Sequence, residues 1–179
     1  MSETAAAGDR LDPPVDPKRD HVLGAAAAPI TLVEYGSYDC PHCRAANERI
    51  TEVRGLFGDR IRYVFRHRPV TGSERARRAA ELVECADRER FWDAHVALMT
   101  RSAALTDDDL ATVAAELLPS DEAERDARTR GAKVRVEEDM ASARASGVRF
   151  TPTFFVNGRQ HVAIAAGSAL FSFALPERR

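Results

Sequence analysis

The stretch Ile30-Thr31-Leu32-Val33-Glu34-Tyr35-Gly36-Ser37-Tyr38-Asp39-Cys40-Pro41-His42-Cys43 decides the fold of this 179-residue chain. Its first six residues form a largely apolar run of strand length. Gly36 to Asp39 is a short polar turn, and Pro41 suits the first turn of a helix, where its missing N–H costs nothing. Cys40 therefore stands at a helix entrance, with Cys43 one turn further in. Three residues apart on a helix, the two sulfurs can close a disulfide with little movement of the backbone.

A thiolate, not a thiol, attacks a disulfide, and a helix N-terminus supplies unpaired N–H groups and partial positive charge that stabilise one. Cys40 is thus the expected nucleophile. A thiol with pKa about 8.5 is only about 3% ionised at pH 7, whereas one shifted to about 5.5 is about 97% ionised. Cys43 is the expected resolving thiol, more buried and less acidic. Pro41 and His42 are candidate thiolate-tuning residues. His42 can hold a positive charge or donate a hydrogen bond beside the sulfur, and stabilising the reduced thiolate makes the disulfide more oxidising. A C-x-x-C can also be half of a zinc site, but zinc takes four ligands. The third cysteine, Cys85, lies in a separate helical stretch, and no second C-x-x-C or H-x-x-x-H pair completes a shell, so no metal is expected.

A second motif lies in Gly147-Val148-Arg149-Phe150-Thr151-Pro152-Thr153-Phe154-Phe155-Val156-Asn157-Gly158. A proline opens an aromatic strand there, and Asn-Gly is a hairpin turn. Together with C-P-H-C, this pattern resembles the thioredoxin superfamily and looks most like its DsbA-like branch, over about Asp20 to Arg159. The resemblance implies an α/β thioredoxin fold with a helical insertion between its βαβ and ββα halves. It implies that Pro152 is cis and shapes the site, and that Thr151 contacts the substrate chain. It also implies that Glu34, six residues before Cys40, is a buried acid that tunes the cysteines or relays their protons. A carboxylate at a strand end could instead point to water.

Period and punctuation place the remaining elements. A helix is expected from about Pro41 to Gly58, with Ala46, Ile50, Val53 and Phe57 on one face. Ile61, Tyr63 and Phe65 alternate with Arg62 and Arg66, which predicts a half-exposed strand ending before Pro69 and, through the helical crossover, parallel to the first. From about 73 to 146 the pattern is helical, with breaks near Asp87, at Ser102 to Thr106 and at Pro119-Ser120, so four helices are expected. Thr106 and Ser120-Asp121 are helix starts. A hairpin follows, its second strand running from Arg159 to about Ile164, and Ser168 can cap about two turns of helix before Pro176. Arg75, Arg77 and Arg78 among Glu74, Glu81 and Glu84 read as a solvated helix face. His95 reads as structural, His67 as a loop-facing contact, Cys85 as an inert buried thiol, and Phe91, Trp92, Leu98 and Met99 as core or groove lining.

Composition excludes several function classes. Net charge is −2 and 44% of residues are hydrophobic, so one domain of 20–179 can bury a core and nothing draws it toward nucleic acid. Residues 1–19, rich in Ala, Asp and Pro, read as a disordered leader. No run resembles a signal peptide or a membrane span, which predicts a cytoplasmic protein. The function expected is a thiol-disulfide oxidoreductase, cofactor-free. It would act on protein or peptide thiols and disulfides, with a redox partner such as glutathione or a thioredoxin system. One alternative is a non-catalytic redox-sensing or regulatory module, since relatives of this kind also occur as domains attached to larger proteins, including transporters. Another is a glutathione-linked transferase or isomerase on a related fold, against which Cys43 argues.

Overall fold

Strand β2 (Ile30–Gly36) is the central strand of the sheet. In the computed structural model, which describes residues 10–161, β2 pairs in parallel with β3 (Ile61–His67), Ile30 opposite Ile61 and Gly36 opposite His67. On its other side it pairs antiparallel with β4 (Thr153–Val156), Glu34 opposite Phe154. The edges are β1 (Val22–Leu23), antiparallel to β3, and β5 (Arg159–His161), antiparallel to β4, giving the order β1-β3-β2-β4-β5. Helix α1 (Pro41–Phe57) carries the chain from β2 to β3. It ends as expected at Gly58, which takes the left-handed φ of 52° that a side chain resists.

Side chains alternate between two cores, as a strand period of two requires. Ile30 and Leu32 of β2, Ile61, Tyr63 and Phe65 of β3, and Phe154 of β4 face the larger core with Ile50 and Val53 of α1. Val33, Tyr35, Val64 and Phe155 face the smaller one with Ala143 and Val148. The four expected helices are present: α2 (Glu74–Cys85), α3 (Phe91–Thr100), α4 (Asp107–Leu117) and α5 (Glu122–Ala145). Thr106 and Asp109 form a reciprocal capping box at α4, and Asp121 rather than Ser120 caps α5. The hairpin turn has positive φ at both Asn157 and Gly158, the conformation this dipeptide favours. The expected continuation of β5 to Ile164 and the cap at Ser168 lie outside the described residues, as do residues 1–9.

Strand β3 is not half-exposed. Both of its faces are covered, and Arg66, which alternation alone assigned to solvent, has 0% exposure. Its guanidinium donates from Nε and Nη2 to the two oxygens of Asp20 at 3.0 and 2.9 Å. It also donates to Tyr35 and Ser142 hydroxyls at 3.0 Å and to the carbonyls of Pro13 and Pro14. Those last two bonds overturn the expectation of a disordered leader up to Arg19. Residues 10–19 pack on the sheet: Leu11 is buried and its N–H bonds Gly158, while Arg10 bridges Arg159. Composition misled because backbone carbonyls add to the few apolar contacts, those of Leu11 and Val15, that the segment makes.

Two further expectations fail because partners distant in sequence take up polar groups that local pattern assigns to the surface. His67 is buried, not loop-facing, with Nε2 2.8 Å from Glu84 and its backbone N–H on Asp139. Glu84 is not on a solvated face, because it lies buried between His67 and His21. Arg77 and Arg78, by contrast, make exposed ion pairs with Glu137 and Asp107 as a solvated face would.

Removing one member of a buried ion pair strands the other. Arg66→Leu is expected to lower the unfolding free energy by about 3–5 kcal/mol in urea titrations, whereas Arg77→Leu should cost less than about 1 kcal/mol. Equal effects from the two would show that the buried cluster contributes no more than a surface pair.

Candidate active site

The turn Ser37-Tyr38-Asp39 delivers Cys40 to the N-cap of α1, with its backbone still extended at φ −106° and ψ 115° and Pro41 in the first turn. The turn is pinned from several sides. Cys40 N–H bonds Ser37, the Ser37 hydroxyl accepts from Val70 N–H, and Ser73 donates to Asp39. The Tyr38 hydroxyl lies 3.1 Å from Nδ1 of His95 on α3. His95 is fully buried, and burial pushes it down to about 3, so it is a neutral partner here, consistent with the structural role expected for it.

Cys40 and Cys43 are unbridged, and their environments differ sharply. The Cys43 thiol, donating to the Cys40 sulfur, is the largest influence holding Cys40 down to about 5. Burial works against it, while the Thr151 side chain and the N–H groups of Cys43 and His42 add to it. The Cys43 sulfur is fully buried, and burial pushes it well above the ordinary thiol range, with the neighbouring Cys40 and Glu34 raising it further. Ser37 N–H reaches it at 3.4 Å. One sulfur is therefore a thiolate at neutral pH, and the other is a thiol that hydrogen-bonds to it.

Thr151, 111 residues away in sequence, places its carbonyl oxygen 3.5 Å from Cys40 Sγ. The Thr151-Pro152 peptide is cis. Pro41 and His42 are exposed beside the sulfur, and Phe150, next to Thr151, is 52% exposed. Glu34 does not point to water: it is 1% exposed, and burial pushes its carboxyl up to about 8. Tyr63 donates to its Oε2 at 2.7 Å, which works the other way, and Oε1 has no hydrogen-bond partner. All seven residues singled out in the sequence thus lie in or next to one cluster at the end of β2 and the start of α1. The sequence reading missed Ser37, Tyr38 and Tyr63, whose only local signal is polar groups on elements that flank the dithiol.

The other candidates lie elsewhere. Burial raises the Cys85 thiol, which meets Thr129 of α5. His67, Glu84 and Asp139 come within 4.8 Å of one another, but Glu84 is shared by two imidazoles and Asp139 is paired with Arg135 at 2.7 Å. The carboxylates of that group are thus engaged by neighbouring basic side chains, while His67 Nδ1 has no hydrogen-bond partner.

Alkylation by iodoacetamide, followed by peptide mass mapping, tests the asymmetry. Cys40 reactivity should rise through an inflection near pH 5 and then level, while Cys43 stays unreactive to at least about pH 9. Cys43→Ala, which removes the strongest donor to the thiolate, should move the Cys40 inflection upward.

A thioredoxin family model matches residues 16–168. The Na(+)/H(+) antiporter NhaA of Nitrosospira multiformis is 56% identical over 156 residues, which is 86% of this chain and 25% of that protein. The chain spans about a quarter of the length of the curated relatives it matches. Among solved structures, a thioredoxin-like oxidoreductase from Silicibacter pomeroyi superposes with a TM-score of 0.69 at 27% identity, covering 81% of this chain and 83% of that one. BdbD from Bacillus subtilis shares the fold at TM-score 0.67 and 24% identity over 89% and 90% of the two chains. A periplasmic thioredoxin-like protein from Salmonella enterica serovar Typhimurium shares it at 0.62 and 22% over 81% of each. The Salmonella neighbour is a periplasmic protein, a finding that goes against the cytoplasmic expectation. Among the described residues no helix is long and apolar enough to cross a membrane, but that composition does not fix a compartment when the matched relatives extend far beyond the matched region.

Proposed function

This chain belongs to the thioredoxin family, and from that membership we propose that it is a DsbA-like thiol-disulfide oxidoreductase exchanging disulfides with protein or peptide thiols through Cys40 and Cys43. The observation that carries the reading is the pairing of an acidified Cys40 with a buried Cys43 thiol that donates to it. In the reducing direction the Cys40 thiolate attacks one sulfur of a substrate disulfide. That S–S bond breaks, the departing substrate thiolate takes up a proton, and a mixed disulfide remains on Cys40. Cys43 then gives its proton to Glu34 and attacks the Cys40 sulfur. The Cys40-Cys43 disulfide forms, the second substrate thiolate leaves, and two electrons have passed from the protein to the substrate. Run backwards, the same steps oxidise a substrate dithiol.

The remaining residues take supporting parts. Thr151 lies against the attacking sulfur, and it and the adjoining Pro152 would contact the substrate chain. Pro41 leaves the first turn free of an unpaired N–H, and His42 contributes its backbone N–H to the thiolate. A partner such as glutathione or a thioredoxin system would return the pair to its starting state. The antiporter relatives favour a second reading, in which the same dithiol is a redox module within a larger transporter and its oxidation state alters the attached protein.

Equilibration in graded glutathione buffers separates these readings. A stabilised thiolate favours the reduced form, so the midpoint should lie on the oxidising side of about −220 mV. Cys40→Ser should abolish both the transition and disulfide exchange with a model peptide. Cys43→Ser should accumulate a mixed disulfide on Cys40. A reversible transition without multiple turnover would favour the redox-module reading, and full exchange activity in Cys40→Ser would overturn the mechanism.

A further inference from the structure

We infer that Tyr63 is a positioning residue for the resolving step: its phenol O–H fixes the Glu34 carboxyl and sets how readily that group accepts the Cys43 proton. The inference rests on the proton-acceptor role proposed for Glu34. It begins from what surrounds that carboxyl. From α1 it is faced by the Cys40 and Cys43 sulfurs, from β3 by the Tyr63 hydroxyl, and from the turn by Tyr38. Its β4 neighbour in register is the apolar Phe154. His95 of α3 approaches through the Tyr38 and Tyr63 rings, at centroid distances of 5.5 and 6.4 Å. None of the ion pairs among the described residues includes Glu34. The donor that supports its charged form is therefore a neutral phenol.

The fold places that phenol with little freedom. In the parallel register Leu32 is opposite Tyr63 and Glu34 opposite Phe65, so Tyr63 lies diagonal to Glu34 on the same face. Its ring is buried and wedged against Trp92 at 5.5 Å. A buried phenol needs a partner, and so does a buried carboxyl; the 2.7 Å bond to Oε2 satisfies both. Oε1 is left with no hydrogen-bond partner, and the Cys43 side chain acts on the same carboxyl. Gly36 keeps that position open, because a Cβ there would lie 2.7 Å from Oε1 and 2.5 Å from the Phe65 ring. One carboxyl oxygen is thus held and the other is free to take a proton.

A hydrogen bond to the ionised form favours that form, so deleting the phenol O–H raises the pH at which Glu34 ionises. The test follows release of glutathione from the Cys40 mixed disulfide, formed by mixing the reduced protein with saturating oxidised glutathione in stopped flow. In that step the Cys43 S–H bond breaks toward Glu34, the Cys40–Cys43 bond forms and glutathione thiolate leaves. Tyr63→Phe should slow release about tenfold at pH 7, move its pH inflection up by about one unit, and match the parent protein at alkaline pH. In a Glu34→Gln background Tyr63→Phe should have no further effect. Genetically encoded difluorotyrosine at position 63, a stronger donor of nearly the same shape, should move the inflection down and covers the case in which Tyr63→Phe folds poorly. An unmoved inflection in these variants, with Glu34→Gln abolishing it, would overturn the role of Tyr63 alone. An inflection that survives Glu34→Gln would overturn the proton-acceptor reading and this inference with it.

Discussion

A guanidinium with no exposure to water, that of Arg66 on the smaller-core face of the sheet, organises the half of the molecule opposite α1. Taking such a charge out of solvent is costly unless its charge is matched and its N–H groups are bonded. Here the carboxylate of Asp20 matches the charge, and two hydroxyls and two proline carbonyls take the remaining donors. Meeting that demand draws the segment around residues 10–20 onto β3 and ties Ser142 of α5 to Tyr35 of β2. Arg19 and Arg135 complete the arrangement by pairing with Asp20 and Asp139. The second ion cluster, Glu84 between His21 and His67, then links α2 to β3 and to the residue before β1.

On the other face the constraint is the opposite one. The site is buried and contains few charges, and each polar group has been given a restricted set of partners. Cys40 gathers donors, Cys43 loses solvent, and Glu34 has a single phenol. In such a setting the direction of proton transfer is set by position, because small changes in donor number shift ionisation more than they do in water. The turn that carries Cys40 is held by α3 through His95 and by the β3–α2 loop through Val70 and Ser73. The helical insertion therefore contributes to the geometry of the dithiol as well as covering the sheet.

Much of this was legible in the sequence because the signals were local. The strand-turn-helix around Cys40, the four helices of the insertion and the Asn157-Gly158 hairpin are each written in a window of a dozen residues. The nearness of Thr151 and Glu34 to the dithiol came from a family resemblance and not from spacing. The unread features depend on partners far along the chain. Arg66 alternates like a surface residue, and only Asp20 and the Pro13 and Pro14 carbonyls make its burial tolerable. Val22 and Leu23 are too short a run to show a period, although they form an edge strand. Glu84 sits among arginines on a helix that looks solvated throughout, and its two histidines come from before β1 and from the end of β3. Tyr63 was read as one apolar member of an alternating strand, since its hydroxyl acquires meaning only from the register with β2. Compartment was misjudged from composition, which cannot speak for protein beyond the matched region.

The pairing of Arg10 and Leu11 with the start of β5 has a consequence for how the molecule behaves among its own copies. An edge strand exposes unpaired N–H and C=O groups that can recruit another chain. Here the chain itself meets that edge at its hairpin end, with Arg10 bridging Arg159 and Leu11 bonded to Gly158. Beyond that bridge the segment leaves β5, with Asp12 bonded to Ser146 and the Pro13 and Pro14 carbonyls accepting from Arg66. The hairpin end of β5 is thus already paired within the chain, so a second copy would have to displace Arg10 and Leu11 to add a strand there.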